Sequence, residues 1–253
     1  MALIDDVFAF VPECDQEVAD RALMLDCLEH DPEVALRGSL AHLTASAWTV
    51  DAAGERTLLC YHNIYNSWSW VGGHADGDFD LAAVAARELE EETGVAGARL
   101  VSEGLGEGAI LSVEALPVAG HVKRGSYVSS HVHLNATYLF VADPSEPLRE
   151  KPDENSGLRW VSIDDVCKLS NEPWMCERVY AKLVGRTKAL LGVKCRDLMR
   201  GASRRVRREA PSFVRAVRCG RAGAAMGPGC GAARRGTRCP LPLPPRSRGV
   251  TYS

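Results

Sequence analysis

The chain has no uninterrupted apolar run approaching the ~18 residues of a membrane-spanning helix, which argues against an integral membrane protein. The segment from Met1 to Asp6 carries no basic residue, so a secretory leader is not expected there. Nine cysteines are present, but their number is odd and no two are spaced as CxxC. No Cys/His cluster has zinc-ligand spacing either. A disulfide framework and a zinc ribbon are thereby set aside, and reduced thiols in a cytoplasm are the expectation. Cys60, inside the apolar stretch TLLCYHNI, reads as core rather than nucleophile. Internal repeats are absent as well.

What is present is 253 residues, 46% hydrophobic and 25% charged, the profile of a soluble globular protein large enough for its own core. The net charge of -3 conceals a division. From residue 188 onward, 14 Arg and 2 Lys face only Asp197 and Glu209, whereas residues 1–187 hold 14 basic and 31 acidic side chains. The stretch 192–253 is rich in Arg, Gly and Pro, a composition that opposes compaction, and it is expected to be disordered. Its bias toward Arg over Lys, with scattered Cys and Pro, reads as GC-rich coding sequence translated without selection for folding. Docking on the acidic domain and nonspecific nucleic-acid binding are the alternatives.

Residues 1–34 are read as an N-terminal helical segment packed on the main domain, which spans 35–191. Asp15 caps a predicted helix over about 16–30, with Val18, Ala22, Leu25 and Leu28 at helical spacing. Strands are predicted at about 39–50, 57–64 and 67–71, after which Gly72-Gly73 opens a loop. A helix follows over about 81–93, with Asp80 as N-cap and Gly94 as its stop. Further strands are predicted at about 98–103, 108–116, 131–142 and 157–162. A last helix starts at Glu172-Pro173 and runs to about Leu191. Strands with helices before, between and after them predict a layered α/β fold.

On the helix over 81–93, Glu88, Glu91 and Glu92 stand at i, i+3 and i+4, so three carboxylates share one face. Their mutual repulsion calls for a counterion. A hard divalent cation such as Mg²⁺ suits oxygen ligands and commonly joins carboxylates to substrate phosphates. The glycine pair lets backbone pass close to that face, where the carbonyl of Gly72 is a further oxygen donor.

The whole segment resembles the box of the Nudix (MutT-like) hydrolases, G-x5-E-x7-R-E-U-x-E-E-x-G-U with U aliphatic. Gly73, Arg87, Glu88, Leu89, Glu91, Glu92, Gly94 and Val95 fall on its fixed positions. The resemblance implies an α/β/α sandwich with a mixed sheet and a pyrophosphohydrolase using Mg²⁺ or Mn²⁺. Its substrate would be a nucleoside diphosphate linked to another moiety, cleaved by attack of metal-activated water on phosphorus. By the same resemblance Glu91 and Glu92 are metal ligands, Glu88 ligates the metal or orients a water, and a homodimer is a state that many relatives adopt. Phe79 stands where the family has its first Glu, the usual partner of the box arginine. Arg87 is thus left to Asp76, Asp78 or Asp80, and reduced activity is implied. A catalytically weak nucleotide-binding or sensor protein is the alternative. Isopentenyl-diphosphate isomerase, on a related fold, is set aside because its Cys-Ser-His context is missing.

MutT-like members place a catalytic carboxylate six residues before a strand Trp, and Glu154 stands six before Trp160. Glu154 is therefore the first candidate for the base, with Glu114 and Glu107 behind it. Tyr65, Trp68 and Trp70 precede the box and could stack on a base, although alternating aromatics in a strand more often pack a core. Lys123 and Arg124 are candidate phosphate contacts in a loop over 120–130, and His74 is better placed for that role, beside the glycines. His131 and His133 alternate on a strand and share one face, where a packed role is favoured over a ligand role.

Overall fold

The computed structural model describes residues 2–123 and 125–192. The expected tail, with Cys195, Cys219, Cys230 and Cys239, lies outside the described residues, as do Arg124 and the side chain of Lys123. The chain begins with two helices, α1 (Leu3–Ala9) and α2 (Asp15–His30). Strands β1 (Ala41–Val50), β2 (Arg56–His62), β3 (Ser67–Ser69) and β4 (Val71–His74) follow. Then come α3 (Leu81–Thr93), a short β5 (Arg99–Leu100) and β6 (Ile110–Val118). A hairpin of β7 (His121–Lys123) and β8 (Ser126–Val128) occupies the stretch expected to be loop. Strands β9 (His131–Val141) and β10 (Asn155–Ser162) complete the sheets, and a 3-10 turn leads into α4 (Val166–Leu169). The last helix opens with α5 (Pro173–Met175), widens into a π-helical turn at Cys176–Tyr180 and continues over 181–192.

One eight-stranded mixed sheet organises the fold. Its centre is a parallel pair, β1 beside β9, in register from Ala41↔Val132 to Val50↔Val141. The other edge of β1 is shared: β4 pairs antiparallel with its first half at Thr44↔His74, and β2 meets only its end at Val50↔Thr57. β2 and β4 therefore diverge, and that divergence opens space for a site. β6 covers most of the outer edge of β9, while β10 extends β2.

Both faces of the central strands are covered, so β1 is buried along nearly its whole length. Leu43, Ala45 and Ala47 join Met24 of α2 and Leu81, Val84 and Leu89 of α3 in one core. Trp48 and Val50, of opposite parity, join Trp70, Tyr180 and Leu183 in the other, under the last helix. This is the α/β/α layering expected. Fully burying one such side chain stabilises by ~1.5–3 kcal/mol.

Two expectations need correction. Gly72 and Gly73 lie within β4 rather than opening a loop. A Cβ at Gly72 would come within 2.6 Å of the Ala45 carbonyl oxygen, and one at Gly73 would collide with the Glu88 carboxylate. Close approach, not a turn, requires glycine here. On α2, Val18 is exposed and Ala22 also faces solvent, whereas Glu17 and Met24 are buried. The buried face is rotated because Glu17 is held by Arg186, from the last described helix.

Candidate active site

Helix α3 is set by its own sequence. The Asp80 carboxylate accepts a hydrogen bond from the Ala83 N–H at 3.0 Å, and Gly94 ends the helix at a φ of 78°, which only glycine adopts readily. Leu81, Val84, Ala85 and Leu89 form the buried stripe, and Glu92 falls on that same stripe. Its carboxyl is consequently pushed up to about 8 by burial, with Glu154 and Glu88 adding repulsion. Glu88 is raised too, by burial first and then by Glu91.

Glu154 arrives from the other side of the divergence, just before β10. The Asn63 N–H binds its carbonyl at 3.1 Å, and the Asn155 side chain donates to the Glu92 carbonyl at 3.0 Å. These bonds lock β10 to the end of α3. As a result, carboxylate oxygens of Glu88, Glu92 and Glu154 lie within 4.8 Å of one another. Glu91 sits outside this trio, 3.2 Å from the Lys151 Nζ, which also reaches Glu154 at 3.3 Å. One ammonium facing four carboxylates leaves the site strongly acidic. Converging hard oxygen donors of this kind fit Mg²⁺ or Mn²⁺.

Arg87 reaches Asp78 at 3.5 Å, both half-exposed, while Asp76 is held by Arg37 through two 2.6 Å bonds and Asp80 serves as the helix cap. Phe79 is 48% exposed and lines a separate groove beside Leu3. The arginine's partner is thus the neighbour of the departed position.

Glu88 and Glu154 of the trio line a cavity of about 870 Å³, together with Gly72, His74, Arg87 and Glu91, whereas the buried Glu92 is not on its lining. Tyr65 and Trp70 also face it, Trp70 being buried edge-on against Tyr180 with ring centres 5.7 Å apart. Trp68 is not among the lining residues. It packs edge-on to Tyr61 at 5.6 Å, with the Arg159 guanidinium over its ring at 5.5 Å. Trp68 and Trp70 both pack with the second core, and of the two only Trp70 reaches the cavity. Glu107 lines a different groove. Glu114 is fully buried, accepting from Asn135 and Thr137 at 3.0 Å each and paired to Lys182 at 3.1 Å, so it supports the sheet rather than facing the cavity. Cys60 is buried with its thiol pushed up to about 12, which suits a core residue.

Sequence reasoning did not foresee His42. The parallel register sets it directly opposite His133, and His74 is packed on it with ring centres 5.2 Å apart. With His131, four imidazoles gather at the end of the cavity floor. Burial and the neighbouring imidazoles push His133 down to about 2, and burial lowers His42 as well. The signal was the even parity of His42 on β1, legible only once β1 is known to run parallel to β9.

An α/β/α sandwich with carboxylates from a Gly-Gly strand–loop–helix unit beside a cavity of about 870 Å³ defines a hydrolase of pyrophosphate bonds. The NUDIX domain family model matches residues 40–183, more than half of the chain, and the protein belongs to the Nudix family. Among solved structures it is similar to an Ap4A hydrolase from C. elegans in a binary complex, at 17% identity and a TM-score of 0.42, covering 59% of this chain and 97% of the other. A Nudix-family hydrolase from Clostridium perfringens matches at 18% identity and a TM-score of 0.39, with the same coverages of 59% and 97%. A MutT Nudix hydrolase from Burkholderia pseudomallei matches at 22% and 0.33, covering 50% and 86%. No curated protein matches the chain. Among the described residues no helix is long and apolar enough to cross a membrane.

Proposed function

We propose that the chain is a divalent-metal-dependent pyrophosphohydrolase that cleaves a nucleoside diphosphate linked to another moiety. The observation that carries this reading is the convergence of Glu88 and Glu92 with Glu154, from separate segments, beside a cavity of about 870 Å³ that Glu88 and Glu154 line. Glu88 and Glu92, with Glu91 and the Gly72 carbonyl as further donors, would hold Mg²⁺ or Mn²⁺, leaving Glu154 beside them as the base. When bound, the cation supplies Lewis acidity toward water and screens the phosphoryl oxygens. Glu154 accepts the proton of the attacking water at its carboxylate, and the bond from phosphorus to the bridging oxygen breaks in line. Arg87 and His74 contact the phosphates, and the base lies against Tyr65 and Trp70.

A screen of nucleoside triphosphates, nucleotide sugars, ADP-ribose, dinucleotides and coenzyme A, with and without Mg²⁺ or Mn²⁺, tests the proposal. Metal-dependent release of phosphate or nucleoside monophosphate from one class is expected. Glu154→Gln should lower kcat by roughly 10²–10⁴-fold with KM little changed. Ligand-induced thermal shifts without turnover of any compound would instead favour the binding or sensor protein that Phe79 suggests.

A further inference from the structure

The far end of the cavity floor holds histidines that the carboxylate chemistry does not use. His42 is 2% exposed; its Nδ1 lies 2.8 Å from the Ser39 carbonyl oxygen, and its buried Nε2 has no hydrogen-bond partner. His131 repeats the pattern, with Nδ1 at 2.8 Å from the Ser129 carbonyl oxygen. A carbonyl only accepts, so each Nδ1 carries the proton, and in the neutral ring each Nε2 presents a bare lone pair. The His131 Nε2 points at the Nε2 of His133, 3.1 Å away. Backbone carbonyls that fix the outer nitrogen while the inner one stays open are the usual surroundings of a metal-binding imidazole.

We propose that His42, His131 and His133 form a second metal site, for one divalent transition-metal cation of the zinc class, distinct from the carboxylate site. Their ligand nitrogens lie within 4.8 Å of one another. Bonds of ~2.0–2.1 Å in a tetrahedron place neighbouring donors about 3.3 Å apart, close to the His131–His133 separation of 3.1 Å. An all-imidazole donor set selects zinc, cobalt, nickel or copper, whereas the carboxylate trio selects magnesium or manganese. Two cations of different hardness can therefore occupy one cavity without competing. The three imidazoles leave a fourth position facing the cavity, and an oxygen of an anionic substrate group remote from the scissile bond is the ligand that fits it. His74, adjacent in sequence to Gly73 and packed on both His42 and His133, links the two sites.

The test uses the untagged 253-residue chain, stripped with EDTA and returned to excess Mg²⁺ so that the carboxylates are satisfied. Titration with Co²⁺ is expected to give visible d–d absorption that saturates at one equivalent and is displaced by Zn²⁺. His131→Gln/His133→Gln should weaken binding by at least about 100-fold, while Glu88→Gln/Glu92→Gln keeps it. X-ray absorption at the zinc edge of the unsubstituted protein should show a first shell containing three imidazole nitrogens, a readout independent of whether a variant folds. No stoichiometric binding in excess Mg²⁺, an oxygen-only shell, or retention of binding in the histidine variant would overturn the proposal. Because the readout is binding, failure of hydrolysis and failure of this site are distinguishable.

Discussion

At the scale of single residues, Glu92 concentrates the tension in the fold. A carboxylate on a core-facing stripe is expensive to ionise, and repulsion from Glu154 and Glu88 raises the cost further. The carboxyl titrates near 8 in the fold against 4.5 in an unfolded chain. Between those values the native protein holds a proton that the unfolded chain releases, so stability declines as pH rises through the window. Below 6.5 the buried His42 and His133 act in the opposite sense, because the unfolded chain binds protons that the fold refuses. Between 6.5 and 8 the decline caused by Glu92 is the larger effect, while the opposing histidine contribution fades over the first part of that interval. Urea denaturation of EDTA-treated protein should show a net loss on the order of 1 kcal/mol across that interval, and Glu92→Gln should abolish it. Saturating Mg²⁺ should also flatten it, since a cation that binds only the native state favours the ionised carboxylate.

At the scale of elements, the decisive contact joins the two ends of the described chain. Glu17 of α2 receives both terminal nitrogens of Arg186, at 2.7 and 2.6 Å, and Lys182 at 3.0 Å. Lys182 also meets Glu114, so two acids and two bases balance inside the protein. Asn135, donating to Glu114, in turn accepts from Thr44 and Ser46 on the cavity floor. The helices thus brace the site through one buried hydrogen-bond network. Arg186→Met should cost about 3–5 kcal/mol in chemical denaturation, because Glu17 loses its principal partner. Glu17→Met/Arg186→Met should recover most of that loss, since no uncompensated charge then remains. This brace also explains what the sequence concealed. Asp80, the Ala-rich body and Gly94 made α3 legible because each signal acts within a few residues. The buried face of α2 was misread as Val18 and Ala22 because the partner of Glu17 lies 169 residues away. Glu154 was found from its distance to Trp160, whereas His42 depended on a strand pairing that no local pattern encodes.

At the scale of the whole molecule, the family match and the folding unit have different limits. The match covers 40–183, yet α2 lies before it, and Arg186, Thr187, Leu190 and Leu191 lie after it. Those residues are structural. Thr187 accepts from the Trp48 indole N–H at 3.0 Å, and Leu190 and Leu191 pack on the second core. Cutting the chain after residue 183 should therefore strip Glu17 of Arg186, its bidentate partner, and leave the Trp48 indole unpaired, with an apolar face newly open to water. Poor solubility or a broad, weakly cooperative thermal transition is expected. Cutting after Gly192 removes most of the basic excess, which is carried by the 14 Arg and 2 Lys from residue 188 onward, and leaves the acidic portion with both cores and the cavity lining. Its thermal midpoint should stay within ~2 °C of that of the full chain, since every core and cavity group named above is retained. Its kcat on whichever substrate the screen identifies should be unchanged. KM measured across a salt series separates the remaining roles. If the basic extension docks on the acidic domain or gathers anionic substrate, its removal alters KM most at low ionic strength and least at high. If it has neither role, the two salt profiles superimpose.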